Sequence, residues 1–270
     1  IGVLRMVPVD GVLANEHELQ SLLRLQEALK ETEELNDDTE RQEMDARREE
    51  LVQGYRDELQ KQVVVISETK EVDENDQPAR RKRFEARRLG GVQEEIRSTI
   101  TELRDTTTEL METPIFNHVH TLIINWSKGA EEELLAGATN RDVTDQQDLI
   151  ARGISSIIDA LEEANQPPPE FEDGQANEGG EGQGQGGQGA PALIPPIAEL
   201  KLLRSTQEQI YNQTQVIDAR EDLQEVTRIE RLDDIAQQQV DLLQLGQEML
   251  KRLQESQGAT ESPEGNLQGQ

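Results

Sequence analysis

The sequence predicts an all-α protein made of long, coiled-coil-like helices: a helical hairpin and, beyond a disordered linker, a tethered long C-terminal helix. Composition is the first observation, because 33% hydrophobic and 2% aromatic residues are too few for a large compact core. Spacing is the second, since apolar residues recur every three or four positions over long stretches. The third is the absence of proline between Pro196 and Pro263, which allows one very long helix.

The net charge of −29 and the lack of cysteine exclude several classes of function. Nucleic acid and anionic membrane surfaces are poor partners for so acidic a chain. Without cysteine there is no disulfide, no thiolate catalysis and no zinc–thiolate site. The chain has no run of 18 apolar residues, so we expect no membrane insertion.

Residues 1–12 form a short apolar arm that Pro8 and Gly11 interrupt. This arm is either an edge strand, a segment that docks on a neighbour or a poorly ordered terminus. Because the chain begins with Ile1 rather than Met, we expect either the removal of an export signal or an incomplete terminus.

A long helix follows the arm. Asn15 and Glu18 have the spacing of a capping box, which favours a helix start at this point. The helix is rich in leucine at first and almost wholly charged from Glu31 to Glu50. We expect it to end near Ser67, with the acidic stretch as a solvated face.

A turn at Asp73–Pro78 and a second helix that ends before Pro114 complete a hairpin over residues 13–113. Gly90 and Gly91 each cost a helix about 1 kcal/mol relative to alanine, so a kink or a break is expected there. The apolar positions spaced three and four apart form a seam that we expect to carry assembly. In this hairpin the seam comprises Leu89, Val92, Ile96, Leu103 and Leu110.

One basic cluster lies at the start of the second helix, where the helix dipole disfavours positive charge. We expect the hairpin residues Glu68, Glu71 and Asp73 to compensate it, or failing them an acidic face of another subunit. A nucleic-acid role is disfavoured by the overall charge. The cluster comprises Arg80, Arg81, Lys82, Arg83, Arg87 and Arg88.

Residues 114–165 are predicted to form short helices around the most apolar patch of the chain. This patch is either a small core or a protein contact, and we assign it as a docking patch. Thr144 and Gln147 have capping-box spacing before a helix with an isoleucine face. Gly153 in that helix either permits close approach of a neighbour or weakens it. The docking patch comprises Ile115, Phe116, Val119, Leu122, Ile123 and Trp126.

The linker at residues 166–191 is rich in Pro, Gly and Gln and is predicted to be disordered, as is the tail at residues 257–270. Between them, residues 192–256 are predicted to form one long helix. Its apolar register shifts between Ala219 and Arg231, which we interpret as an irregularity in a supercoil. The predicted seam continues along this helix at Leu200, Leu203, Ile210, Ile217, Leu232, Ile235, Leu242, Met249 and Leu253.

The sequence contains only weak motifs for catalysis or for binding a metal or a cofactor. His118 and His120 would share a face only in a strand, and no further metal ligands accompany them at a recognisable spacing. The Gly repeats in the linker lack the lysine and hydroxyl residues of a phosphate-binding loop. We therefore expect no enzyme activity, no catalytic or cofactor-binding residue, no metal site and no cofactor.

The segment Ala192–Gln207 resembles one found in uncharacterised coiled-coil proteins of planctomycete-type bacteria. Those relatives often begin with export signals and place the segment after a low-complexity tract. The resemblance implies a periplasmic or envelope protein, with the cytoplasm as the alternative, and it implies no catalytic residue.

The leading functional hypothesis is a non-enzymatic structural protein that self-assembles through coiled-coil contacts as a scaffold, spacer or filament subunit, in a bacterial envelope. Its partners would be protein: a homo-oligomer or a larger assembly. The alternative is an accessory or regulatory subunit of a larger complex that uses the C-terminal helix as a binding arm.

Overall fold

The computed structural model describes residues 11–163 and 193–258, and their side chains over 19–162 and 193–255. The described residues form seven helices and no strand, which confirms the all-α prediction. The predicted linker lies outside them, as do most of the predicted arm and tail. The helices are α1 (Gly11–Glu74), α2 (Ala79–Thr106), α3 (Thr108–Glu112), α4 (Pro114–Ala136), α5 (Arg141–Glu163), α6 (Pro196–Asp218) and α7 (Glu225–Gly258).

The chain divides into two compact units. Of the described residues, the N-terminal unit holds 11–47 together with Leu193, and the core unit holds 48–163 and 194–258. The division falls within α1, so the second part of that helix belongs to the core unit.

The hairpin between α1 and α2 turns at residues 75–78, close to the predicted position. The turn begins where the Asn75 amide donates to the Glu71 carbonyl, and Arg81 donates to the Pro78 carbonyl as α2 starts. Helix α1 is longer than predicted: it begins at Gly11 rather than after Asn15, and it ends at Glu74 rather than near Ser67.

Helix α2 continues through Gly90 and Gly91, so the alternative of a break between two helices is wrong. The reason is packing: a Cβ on Gly90 would lie 3.1 Å from side-chain atoms of Leu135 and 3.3 Å from the Leu134 Cβ. The glycine thus allows α4 to approach α2 closely. The helix ends earlier than predicted, at an extended Thr107 within three successive threonines, whose β-branched side chains disfavour helix.

Helices α4 and α5 form the centre of the core unit, with α2 and α6 against them. Gly137 ends α4 in the left-handed conformation, with φ of 95°, and its amide donates to the Leu134 carbonyl. Helix α5 starts at Arg141, before the predicted Thr144 cap. Its predicted apolar face is fully buried at Ile150, Ile154, Ile157 and Leu161.

A buried polar chain joins α1, α2, α4 and α5 within this core unit. The Gln93 amide donates to Gln62 Oε1 and to Ser127 Oγ, both at 2.9 Å. Gln62 donates in turn to the Gln147 carbonyl at 3.4 Å. Because an unpaired buried amide costs about 1–3 kcal/mol, these bonds disfavour any slip of one helix against another.

The predicted continuous C-terminal helix is wrong: residues 219–224 form a turn, and α6 and α7 pack against each other. Arg252 near the end of α7 pairs with Glu199 at the start of α6 at 3.0 Å, so the two helices run antiparallel. A single rod would leave its seam in water, whereas the turn lets Ile210 and Leu242 become buried. The register shift noted in the sequence marks this turn.

Candidate protein interface

The predicted assembly seam lies inside the chain. Only Leu200 is clearly exposed, at 44%, while Val92, Leu103, Leu203, Leu232 and Leu253 are half-buried. A second copy cannot cover the seam side chains that this chain already buries, so those members are not available for assembly. For Leu200 and the half-buried members, a role in assembly stays a prediction. The buried members are Leu89, Ile96, Leu110, Ile210, Ile217, Ile235, Leu242 and Met249.

The predicted docking patch is also core. All of its members except Trp126 are buried, because α4 lies between α2 and α5. Gly153 of α5 brings the two helices together here: a Cβ at that position would lie 2.7 Å from Ile123 Cγ1. The docking patch is thus part of the core, which is the alternative interpretation that the sequence allowed.

Exposed apolar side chains remain on several helices of the described residues, among them Val226, Leu243 and Leu250 on α7, and they are most closely spaced on α1, in the N-terminal unit. Five leucines between residues 19 and 29 keep 57–66% of their surface exposed. At 100° per residue they fall within an arc of about 160° on one side of the helix. We call this set the leucine face: Leu19, Leu22, Leu23, Leu25 and Leu29.

The leucine face ends abruptly after Leu29. One turn further along the same side stand Glu33 and Asp37, and polar groups of this stretch pair with one another along the helix. Lys30 lies 3.5 Å from Glu34, and Asn36 donates to Glu40 at 2.7 Å. A helix with a broad apolar face needs a partner surface, because exposed clusters of large aliphatic side chains mark contact sites.

The leucine face was missed as a site by sequence reasoning, although its residues were read as part of a helix. The available signal was the concentration of leucine itself: five in eleven residues, all on one side. Assembly was assigned instead to the later seam of the hairpin, because its apolar residues are more regularly spaced.

The titratable pair that is most deeply buried is Tyr55 with His120, both fully inaccessible. The imidazole Nδ1–H donates to the Phe116 carbonyl at 2.6 Å, so Nε2 is free to accept from the Tyr55 hydroxyl at 2.8 Å. Burial lowers the pKa of His120 to about 4 and raises the pKa of Tyr55. The pair is enclosed by the core, which suits a structural role.

An arginine cluster fixes the turn between α6 and α7. Arg220 is buried and donates to Asp142 at 2.6 Å, to Asp145 at 3.1 Å and to Asp222. Arg231 also donates to Asp142, at 3.0 Å, and its hydrogen bond holds the pKa of that carboxyl below its ordinary value. The two arginines and three carboxylates of this cluster thus satisfy one another, and they join α5 to the turn at residues 219–224 and to α7.

A cavity of about 330 Å³ lies beside this cluster, between α5 and the α6–α7 pair. Trp126 and Ile217 supply apolar lining, and buried amide atoms of Gln146, Gln213 and Gln238 have no hydrogen-bond partner. The space is large enough for several water molecules, which would satisfy these amides.

Among the described residues, no cluster of three or more His, Asp or Glu side chains has a geometry that could hold a metal ion. None of the described helices combines the length and apolar character needed to cross a membrane. Comparisons with protein families, with curated proteins and with solved structures find no match to this chain. The resemblance of Ala192–Gln207 to bacterial coiled-coil proteins stays a prediction.

Proposed function

We propose that the protein is a non-enzymatic structural protein that self-assembles, with two copies pairing through their leucine faces. The observation that carries the proposal is the exposure of five leucines on one side of α1 in the N-terminal unit, whereas eight of the fourteen seam residues in the core unit are buried. The proposed function is still self-association, but the contact surface is the leucine face instead of the predicted seam.

The leucine face is close to self-complementary about position 24. In an antiparallel pair centred there, Leu19 faces Leu29 of the second copy, and Leu23 faces Leu25. A two-fold contact of this kind uses the same patch on both copies and closes as a dimer.

Charge supports the antiparallel orientation. Residues 31–45, which we call the acidic segment, carry eight carboxylates and one arginine. A parallel pair would place two acidic segments side by side, where like charges repel. An antiparallel pair places them at opposite ends and leaves the weakly charged residues 19–30 in contact.

The leucines can support a dimer of moderate affinity. Covering the exposed part of each leucine contributes about 1–2 kcal/mol, or roughly 10–20 kcal/mol for the ten leucines of two copies. Association costs about 4–15 kcal/mol, so the middle of the two ranges leaves about 5–6 kcal/mol, which corresponds to a dissociation constant on the order of 100 μM.

Sedimentation of the full chain over a range of concentrations tests the proposal. L22Q/L29Q removes four leucines from each dimer and should weaken the dimer by about a thousandfold or more, because at least 4 kcal/mol of burial is lost. The matched control L243Q/L250Q removes two similarly exposed leucines from α7 and should leave the dimer unchanged. Equal effects of both variants, or a wild-type chain that stays monomeric, would refute the proposal.

Orientation is measurable because the chain has no cysteine, so one introduced thiol carries a unique spin label. The exposed position Gln42 lies 18 residues from the proposed two-fold axis. Labels on Q42C should be about 50 Å apart in an antiparallel dimer, at 1.5 Å per residue in each helix. In a parallel dimer they would be separated by little more than the distance of about 10 Å between helix axes.

A binding face for an unlike protein is the competing function, and it is an outcome of the same experiments. A chain that is monomeric alone but copurifies stoichiometrically with another protein, and loses that partner in L22Q/L29Q, would assign the face to a larger complex. Placement in a bacterial envelope rests on the resemblance of Ala192–Gln207 and is tested by cell fractionation.

A further inference from the structure

The start of α2 presents a second exposed surface with the opposite charge to the rest of the chain. Phe84 keeps 68% of its surface exposed, although phenylalanine side chains are usually buried. Arg80, Arg81 and Arg83 are exposed around it, on the same side of the helix within an arc of about 160°. We call these four residues the basic patch.

Neighbouring basic residues are already occupied. Arg88 pairs with Glu68 at 2.5 Å and with Glu85 at 3.1 Å, as the predicted compensation by Glu68 requires. Lys82 donates to the Asp73 carbonyl and Arg87 to the Leu135 carbonyl.

The arginines of the basic patch differ from these neighbours. Within the part of the chain that the structure describes, Arg80, Arg81 and Arg83 make no ion pair. They also stand in the first turns of α2, where positive charge opposes the helix dipole. Since they do not stabilise their own helix, an external anionic surface would compensate their charge.

The acidic segment of α1 has the complementary arrangement. Leu35 is 63% exposed, and Glu31 and Asp38 lie one turn away from it on either side along the helix. An exposed apolar side chain surrounded by carboxylates is the chemical counterpart of Phe84 surrounded by guanidinium groups. Arginine is well suited to such a contact, because its planar group binds carboxylates in a bidentate manner.

We propose that the basic patch of one copy binds the acidic segment of a second copy, with Phe84 against Leu35. The contact is heterologous, since it joins two different surfaces, and each bound copy still has one free patch or segment. It therefore adds copies head to tail, into a filament where the rotation between copies does not close and into a ring where it does. The proposal does not rest on the leucine face, because it uses different residues.

The experiment is a charge-reversal exchange in the full-length L22Q/L29Q chain, in which the leucine contact is removed. R80E/R81E reverses the patch, and E31R/D38R reverses the segment. Each variant alone should lose association by at least tenfold in sedimentation, because like charges would then meet. An equimolar mixture should associate again, through the intact segment of the first variant and the intact patch of the second.

Two controls separate this contact from a general effect of charge. R204E/K251E changes the net charge by the same amount as R80E/R81E, at two exposed residues of α6 and α7, and should not weaken association. L35Q keeps every charge and should still weaken association, since it removes the apolar centre. Raising the salt concentration should weaken the wild-type contact and leave the expected order of the variants unchanged.

Several results would overturn the proposal. One is a mixture of the two reversed variants that stays monomeric while each variant keeps its helical circular dichroism. Another is association that R204E/K251E weakens as strongly as R80E/R81E does. A third is a patch that binds single-stranded RNA but no second copy, which would assign it to nucleic acid. Circular dichroism of every variant at matched concentration distinguishes a lost contact from a lost fold.

Discussion

Acid should destabilise the core unit through His120. The imidazole is fully buried between α1 and α4, its Nδ1–H is committed to a carbonyl, and its Nε2 accepts from Tyr55. Protonating Nε2 breaks that hydrogen bond, places two donors against each other and creates a charge in the core. Asp105 favours the charged form and Arg104 opposes it, and burial outweighs both.

The magnitude follows from the pKa of His120, which burial lowers from 6.5 to about 4. The unfolded chain therefore binds more protons than the folded chain between these values, and stability falls as the pH falls. The full loss is about 3 kcal/mol and is complete below pH 4. About 2 kcal/mol of it is lost between pH 7 and pH 5, before most carboxylates titrate.

Urea unfolding of wild type and H120Q at pH 7, 6 and 5 measures this contribution. H120Q removes the titrating group, so its stability should fall by about 2 kcal/mol less than that of wild type over this range. Y55F should cost about 1–3 kcal/mol at pH 7 through the unpaired Nε2, and it should retain the acid sensitivity. H118Q should remove a smaller part, because Asp241 opposes the effect of burial on the pKa of His118.

Parallel pH dependences for wild type and H120Q would refute the reasoning. That result would mean that His120 is already charged in the fold or that water reaches its ring. Nuclear magnetic resonance titration of the His120 ring distinguishes these two cases, because only the first shows a protonated imidazole at pH 7.

Two further predictions concern packing and the buried cation. G153A should cost about 1–3 kcal/mol in urea unfolding, because its Cβ would lie 2.7 Å from Ile123, whereas G91A, which meets nothing within 4 Å, should gain about 0.5–1 kcal/mol. Equal effects of the two would contradict the packing. R220M should cost about 2 kcal/mol, since it leaves Asp142 with Arg231 alone and Asp145 with only the more exposed Arg141 at 3.7 Å, and a change below about 0.5 kcal/mol would contradict that role.

Local periodicity predicted the helices well because it acts over a few residues. Ile150, Ile154 and Ile157 lie one turn apart, and any helix that contains them must present them together, so their common burial followed directly. Pro114, predicted as the point before which the second helix ends, lies at the first position of α4, where the fixed φ of proline suits a helix start in any fold.

The partner of each apolar face could not be obtained in this way. Leu200 to Leu253 has the spacing of a seam whether the covering helix comes from a second copy or from the same chain. The difference depends on the turn at residues 219–224, where Arg220 reaches Asp142 far earlier in the sequence. A contact between residues so distant leaves no periodic signal, so the hairpin of α6 and α7 was interpreted as one rod.

The same ambiguity explains why the candidate interface is the leucine face rather than the predicted seam. Leucines at 19–29 and isoleucines at 150–157 both form helical faces, and only tertiary structure shows that the first face is exposed and the second is buried. The basic cluster was more informative, because the dipole of its own helix already disfavoured the charge. The pairing of Arg88 with Glu68 supplies part of the expected compensation. The arginines of the basic patch belong to the same cluster and make no such ion pair.

The symmetry of the two proposed contacts determines what kind of assembly they can build. The leucine face is isologous and is used up when two copies pair, so alone it stops at a dimer. The contact between basic patch and acidic segment is heterologous and leaves a free surface at each end unless the copies close into a ring. When dimers rather than single copies join through it, every dimer offers two patches and two segments, so growth continues in both directions. A filament therefore requires both contacts to remain compatible in one copy, and the antiparallel arrangement meets that requirement because it keeps the acidic segments outside the leucine contact.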